Sequence, residues 1–183
     1  MTKKTYSVAF RRRREGKTNY KKRLAMLKSS MPRFVVRKSN RYITVQAIEF
    51  SRKGDVVKAA ANSRELHNFG WKLAKKNLPA SYLTGLLAGV RAKKGGIEKA
   101  VLDIGFSTPV HGATCFAALK GMLDSGVAIE HDEKALPSEE RVRGMHIKKH
   151  GKTGTDIEKQ FEEAKNKILK GREVKKDAKG KRS

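Results

Sequence analysis

The sequence predicts an α/β fold, a mixed sheet with an antiparallel three-stranded meander and helices on both faces, with basic N- and C-terminal extensions. Three observations lead to it. Short β-branched runs come early in the chain, apolar residues later recur every three to four positions, and the charge is unevenly spread. The 183 residues carry 43 Lys and Arg against 18 Asp and Glu, a formal charge of +25. Between Asp55 and Glu140, however, eleven basic residues nearly balance ten acidic ones. The excess positive charge therefore lies in the two flanks.

Residues 1–30 form the first predicted unit, a basic RNA-binding arm. Eleven Lys and Arg stand here against one acid, Glu15. The pattern from Tyr20 to Leu27 predicts a short basic helix, whereas the rest, including Tyr6, is expected to be extended and to become ordered only on a partner.

Residues 31–131 form the second predicted unit, an α/β domain that begins with three strands. Phe34–Val36 and Ile43–Val45 are β-branched runs separated by the turn residues Ser39 and Asn40, and a second turn precedes Val56. These runs predict the meander.

Helices and two further strands are expected to complete this domain. Asn62 and Glu65 predict a capping box that opens a helix ended by Pro79. Its apolar stripe would hold Leu66, Phe69, Gly70, Leu73 and Ala74. A second helix, with Leu83, Leu86, Leu87 and Val90 inward, ends at Gly95 and Gly96. The elements predicted beyond it are a strand over Ala100–Ile104, a helix over Ala113–Leu123 and an edge strand over Val127–Ile129. Helical glycines are costly, so those at 70, 85, 89 and 121 are interpreted as close-packing sites.

Residues 132–183 form the third predicted unit, a basic C-terminal extension with one amphipathic helix. Thr155 and Glu158 predict its capping box. An apolar face of Ile157, Phe161, Ala164 and Ile168 must dock either on its own domain or on a neighbour. The Lys-rich end from Gly171 is expected to be disordered without a partner.

Composition and motifs argue against several classes of protein. No apolar stretch reaches the ~18 residues of a membrane span, and no apolar signal core follows the first charges. The single cysteine, Cys115, is expected to be a reduced, buried residue, which fits the cytoplasm. The five histidines have no metal-site spacing, and Gly16-Lys17-Thr18 and Gly151-Lys152-Thr153 lack the first glycine of a phosphate-binding loop. The sequence therefore predicts no catalytic site, no metal and no cofactor.

The arm predicts binding to nucleic acid. A run of four arginines, Arg11–Arg14, favours phosphate because the guanidinium fork pairs with it bidentately. Tyr6, Phe10 and Tyr20 lie among the charges and could stack on unpaired bases. Extended arms without a compact recognition helix favour RNA over DNA. Two alternatives stay open at this point: a basic DNA-compacting protein, and an enzyme that acts on RNA.

Several segments closely resemble one ribosomal family. They are RRRREGKTNY (11–20), PRFVVRKSN (32–40), TGLLAG (84–89), LDIG (102–105) and FAALKG (116–121). The family is large-subunit ribosomal protein eighteen of the universal numbering, the 5S rRNA-binding ribosomal protein family, and the archaeal type fits best because eukaryotic members carry longer extensions.

This resemblance implies a structural, non-catalytic protein with the ribonuclease-H-like shape found in translation components. It implies binding to 5S rRNA, anchoring of that RNA in the central protuberance, and contacts with large-subunit rRNA and neighbouring ribosomal proteins, without a stand-alone homo-oligomer. Carried over residue by residue, RNA contacts in the arm fall on Arg11, Arg12, Arg13, Arg14, Lys17, Thr18, Tyr20, Lys21 and Arg23. In the first hairpin they fall on Arg33, Arg37, Ser39, Asn40 and Tyr42.

Overall fold

The computed structural model describes residues 7–149 and 157–171. Tyr6, Thr155, the Gly151-Lys152-Thr153 sequence and the tail after Gly171, on all of which predictions were made, lie outside the described residues. The strands are β1 (Arg33–Lys38), β2 (Ile43–Glu49), β3 (Val56–Asn62), β4 (Lys99–Asp103) and β5 (Ala128–Ile129). The helices are α1 (Arg11–Arg14), α2 (Tyr20–Leu27), α3 (Leu78–Lys94), α4 (Thr114–Asp124), α5 (Glu139–Arg143), α6 (Met145–Lys149) and α7 (Ile157–Leu169). Two short 3-10 helices span Glu65–Phe69 and Glu133–Ala135.

The five strands form one mixed sheet in the order β3-β2-β1-β4-β5. Neighbours β1 and β2 are antiparallel, as are β2 and β3, so the predicted meander is confirmed. Strand β4 runs parallel to both β1 and β5. Parallel neighbours need a long crossover, and α4 supplies the one between β4 and β5.

One face of the sheet carries the apolar core. Side chains alternate along a strand, so Phe34 and Val36 of β1 share this face with their register partners on β2, Ala47 and Val45. All four are at most 1% exposed. Helices α3 and α4 cover this face, with Leu83, Leu86 and Leu119 fully buried beneath them. The opposite face of the sheet and residues of α2 together line an open cavity. Polar side chains on this face are therefore not enclosed in the apolar core.

Glycines let α3 and α4 approach each other closely. A methyl group at Gly85 would overlap the backbone carbonyl of Ala118, and one at Gly121 would overlap that of Tyr82. Gly89 similarly abuts Ser125. The prediction of close packing is confirmed for these three glycines, but it is wrong for Gly70, where a methyl group would meet only the Lys167 ammonium.

The helix predicted from Asn62 to Pro79 is wrong. Only the 3-10 helix at Glu65–Phe69 forms, and it ends at Gly70, whose φ of 95° is left-handed. The Glu65 carboxylate does accept the backbone N–H of Asn62, at 2.9 Å, as the capping box predicted. Pro79 lies in the first turn of α3, where its missing N–H would have no helical partner in any case. Proline therefore begins a helix here instead of ending one.

The described parts of the two basic flanks contain more regular structure than the sequence predicts. Helix α2 forms over the predicted range, but the expected extended segment before it contains the helical turn α1. At the other end, the apolar face of α7 docks on its own domain. Ile157, Phe161, Ala164 and Ile168 are at most 3% exposed there. The rings of Phe161 and Tyr82 in α3 lie 5.4 Å apart between centroids.

Candidate nucleic-acid interface

The exposed cations of the arm form the outer part of the site. All four arginines of α1 are exposed. Glu15 pairs with Lys17 at 2.8 Å and approaches Arg11 at 3.6 Å. Arg12 donates from Nε to the Thr18 hydroxyl at 2.9 Å, which holds α1 against the start of α2. The side chains of Arg13 and Arg14 make no polar contact within the described residues. Among the guanidinium groups of the arm, these two are the most available to a bound anion.

A chain of ion pairs fastens the arm to the second face of the sheet. Arg23 of α2 lies 2.8 Å from Asp55, in the loop before β3. The other oxygen of Asp55 lies 2.8 Å from Arg33 of β1. Arg33 also lies 3.2 Å from Asp103 at the end of β4. The arm, the β2–β3 loop and two strands are thereby joined through alternating charges.

Arg37 joins the same chain from the same face of β1, four residues after Arg33. Its guanidinium lies 3.0 Å from the Asp103 carboxylate and donates to the Asp103 carbonyl at 2.8 Å. Its side chain is 48% exposed, whereas those of Arg33 and Asp103 are 4% and 7% exposed. Three arginines thus share two carboxylates, which leaves one positive charge on this cluster. Because Arg33 is buried between two acids, its role differs from that of the exposed arm cations.

In the described part of the chain, two open cavities lie beside the arm, one against the sheet and one against the β4–α4 loop. The first, of about 470 Å³, is lined by both acids of the ion-pair chain and by several predicted contact residues. Those predicted residues are Arg12, Lys17, Thr18, Arg23, Arg33 and Arg37. The second, of about 530 Å³, lies beside the β4–α4 loop and includes Arg13, Thr18, Tyr20 and Lys21. The structure therefore brings the arm residues together with Arg33 and Arg37.

The turn of the first hairpin lies apart from both cavities. The Ser39 hydroxyl is used within the turn, where it donates to the Tyr42 carbonyl and accepts the Tyr42 N–H, each at 3.0 Å. Asn40 is exposed. The Tyr42 ring lies under the Lys75 ammonium, 5.9 Å from its nitrogen. These three predicted contacts do not share a surface with the arm cavities, and they stay predictions.

Sequence reasoning missed three residues of the site: Asp55, Asp103 and Phe106. The two acids share one signal in the sequence, since each stands at a strand boundary, Asp55 directly before β3 and Asp103 at the end of β4. Phe106 follows the LDIG segment in the β4–α4 loop and is 58% exposed. An exposed aromatic in a loop is a signal for binding, although the apolar pattern alone cannot reveal its exposure.

The described residues were also compared with the requirements of a metal site and of a membrane span. Within residues 7–149 and 157–171, no group of three His, Cys, Asp or Glu side chains could hold a metal ion. The His111 and His131 rings each bond a backbone carbonyl, at 2.9 and 2.7 Å. None of the helices in this part of the chain is long and apolar enough to span a membrane.

Comparison with known sequences identifies the family. The profile of a family described as "Ribosomal large subunit proteins 60S L5, and 50S L18" matches residues 4–98, just over half of the chain. The chain belongs to this family of large-subunit ribosomal proteins. The match includes the whole arm from Lys4 onward and the first three strands.

Archaeal members of the uL18 family extend the likeness. Large ribosomal subunit protein uL18 of Korarchaeum cryptofilum is 57% identical over 142 residues, which cover 78% of this chain and 73% of the relative. The uL18 protein of Aeropyrum pernix is 56% identical over 143 residues, covering 78% and 67%. That of Methanoregula boonei is 46% identical over 165 residues, covering 90% and 95%. The predicted family is confirmed. As a uL18 family member, the chain is a ribosomal protein, located in the ribosome and hence in the cytoplasm.

Proposed function

We propose that this chain binds 5S rRNA through its arm and anchors that RNA in the central protuberance of the large subunit. In this proposal residues 1–30 are the RNA-binding arm, 31–131 the α/β domain, and 132–183 an extension. The chain also contacts large-subunit rRNA and other ribosomal proteins, and it does so through surfaces outside the arm. The protein acts by binding and has no catalytic role.

The observation that carries the proposal is the segregation of charge in the arm. The exposed guanidinium groups of Arg13 and Arg14 have no internal partner in the described residues, whereas Arg23 and Arg33 are paired internally with Asp55, and Arg33 with a second carboxylate as well. Like charges this close repel one another, and an array of phosphates relieves that repulsion while releasing condensed counterions. The outward cations thus bind the RNA backbone, and the inward ones hold the arm in place.

Positioning of the arm by the ion-pair chain also favours tight binding of RNA. A flexible cationic tail pays a large entropy cost on binding, and docking the arm beforehand reduces that cost. Arg33 in this proposal is a positioning residue because its side chain is only 4% exposed. Arg37, half exposed beside Asp103, is able both to position the β4–α4 loop and to meet a phosphate.

A competition experiment tests the choice of RNA. Labelled 5S rRNA bound to the full chain is challenged with unlabelled 5S rRNA or with duplex DNA of equal phosphate content. We expect 5S rRNA to compete far more strongly, because DNA offers charge without the folded shape. Equal competition would favour the DNA-compacting alternative. Crosslinking in purified large subunits then identifies the RNA that lies against Arg11–Arg23, and crosslinks solely to RNA remote from 5S rRNA would contradict the anchoring role.

A further inference from the structure

The cleft beside the β4–α4 loop contains an exposed aromatic residue that the ion-pair chain and the arm cations do not explain. Phe106 is 58% exposed and lines this cleft together with Tyr20, itself 36% exposed. The Tyr20 ring packs against Phe10, with centroids 5.4 Å apart. No ring contact among the described residues involves Phe106. A large apolar side chain thus lies open to solvent at a site flanked by cations.

The backbone beside Phe106 is held firmly. The N–H of Gly105 donates to the Asp103 carboxylate at 2.8 Å, and the N–H of Ser107 closes a turn to the Ile104 carbonyl at 3.2 Å. Gly105 has a φ of 64°, and a methyl group there would lie 2.8 Å from Cζ of Arg37. The ion-pair chain therefore fixes the turn that presents Phe106, so the backbone that carries the ring is held in place before any ligand arrives.

The lining of the cleft defines the chemistry of its occupant. Arg13 and Lys21 supply positive charge, Thr18 and Asn19 supply short polar groups, and Phe106 and Tyr20 supply rings. Among the residues that the structure describes, no carboxylate lines this cleft. A volume of about 530 Å³ lies within the range of roughly 300–1,000 Å³ typical of small-ligand sites. An aromatic surface beside cations, without acids, suits a planar group attached to a phosphate.

We propose that this cleft receives an unpaired nucleobase of the bound RNA, stacked on Phe106, while Arg13 and Lys21 meet the flanking phosphates. The inference rests on the proposed RNA-binding function and adds to it a specific base-binding subsite. Stacking on a fixed ring needs little ordering of the protein, and every base has a face that can stack. The subsite therefore selects a nucleotide that lies outside a helix, not a particular base.

The test measures the affinity of the full chain for transcribed archaeal 5S rRNA over a series of salt concentrations. Three variants are compared with the unsubstituted chain: Phe106→Ala, Phe106→Trp and Phe50→Ala. Phe50 is a matched control, since it is 52% exposed and does not line the cleft. Circular dichroism verifies that each variant is folded.

We expect Phe106→Ala to weaken binding about 5- to 150-fold, the loss of one base stack, without changing the salt slope, because no phosphate contact is lost. Phe106→Trp restores the affinity, and Phe50→Ala leaves it unchanged. If Phe106→Ala binds as tightly as Phe50→Ala, or if it lowers the salt slope as a lost cation would, the base subsite is refuted while RNA binding stands. If the unsubstituted chain does not bind 5S rRNA, the proposed function fails, and the subsite fails with it.

Discussion

The guanidinium of Arg33 lies 3.2 Å from the carboxylate of Asp103, and both side chains are almost completely buried. The two residues are 70 positions apart in the chain and meet because β1 and β4 are parallel neighbours. Their pairing connects the folded body to the site, since Arg33 also reaches Asp55 and Asp103 also reaches Arg37. Burial of such a pair is costly, but removal of one partner is costlier because it leaves an uncompensated charge.

Replacing Asp103 should therefore destabilise the fold. We expect Asp103→Ala to lower the free energy of unfolding by about 3–5 kcal/mol, as for other broken buried pairs. Chemical denaturation of the full chain measures this change. Glu49→Ala is the control, because the Glu49–Lys58 pair is 53% and 46% exposed and should contribute at most about 1 kcal/mol. Equal, small effects of the two substitutions would contradict the structural importance of Asp103.

Replacing Arg23 should release the arm from the sheet. Its pair with Asp55 ties α2 to the body. Both side chains are partly exposed, so we expect Arg23→Ala to cost no more than about 1 kcal/mol and to speed amide exchange in α2 up to roughly fivefold. Hydrogen exchange read residue by residue should find β1 unchanged. Lys22→Ala is the neighbouring control, and acceleration by that variant to the same degree would mean that the ion pair does not hold the arm.

The close approach of α3 and α4 predicts that Gly85 tolerates no side chain. A methyl group there would overlap the Ala118 carbonyl, so we expect Gly85→Ala to cost about 1–3 kcal/mol or more through overpacking. Gly95, at the end of α3, has an ordinary φ of −84°, and Gly95→Ala should change stability by less than about 1 kcal/mol. Thermal unfolding of both variants provides the comparison. A Gly85→Ala variant as stable as Gly95→Ala would disprove the close packing.

The only cysteine should react slowly in the native protein. Burial raises the pKa of the Cys115 thiol above its ordinary value, and this outweighs the lowering by Lys38, by Ser107 and by Arg37. Less thiolate forms near neutral pH, and the thiolate is the reactive species. We expect a thiol reagent to label Cys115 far faster in denaturant than in native buffer. Equal labelling rates would show that the thiol is accessible in the folded chain.

The sequence predicts correctly those strands and helices that are determined by the pattern of their own residues. The β-branched runs of β1 and β2 and the periodicity of α4 correspond to the observed strands and helix. The prediction for the region after Asn62 is wrong because Leu66 and Phe69 are apolar for tertiary packing. Their spacing in the sequence is the same as that of the apolar stripe of an α-helix. Pro79 is compatible with a helix start as well as with a helix end, and the local sequence does not distinguish the two.

The sequence predicts the positive charge of the candidate site, but it does not predict how the charged side chains are arranged. An excess of cations in the arm is visible in the sequence, whereas their division into paired and unpaired groups depends on the sheet register. In the sequence Arg33 cannot be distinguished from the other arginines. In the fold, the pairing of β1 with β4 places Asp103 beside it. The exposure of Phe106 likewise depends on the turn that Gly105 and Asp103 hold.

The salt dependence of 5S rRNA binding tests the central claim most directly, namely that the outward cations of the arm bind phosphates. The dissociation constant of the full chain is measured at several salt concentrations and compared with that of the Arg13→Ala/Arg14→Ala variant. We expect steep salt dependence for the unsubstituted chain, and a slope lower by about 1.4–1.8 in the variant, since each lost phosphate contact removes roughly 0.7–0.9. Identical slopes for the two proteins, or an affinity of the unsubstituted chain that salt does not change, would contradict the claim.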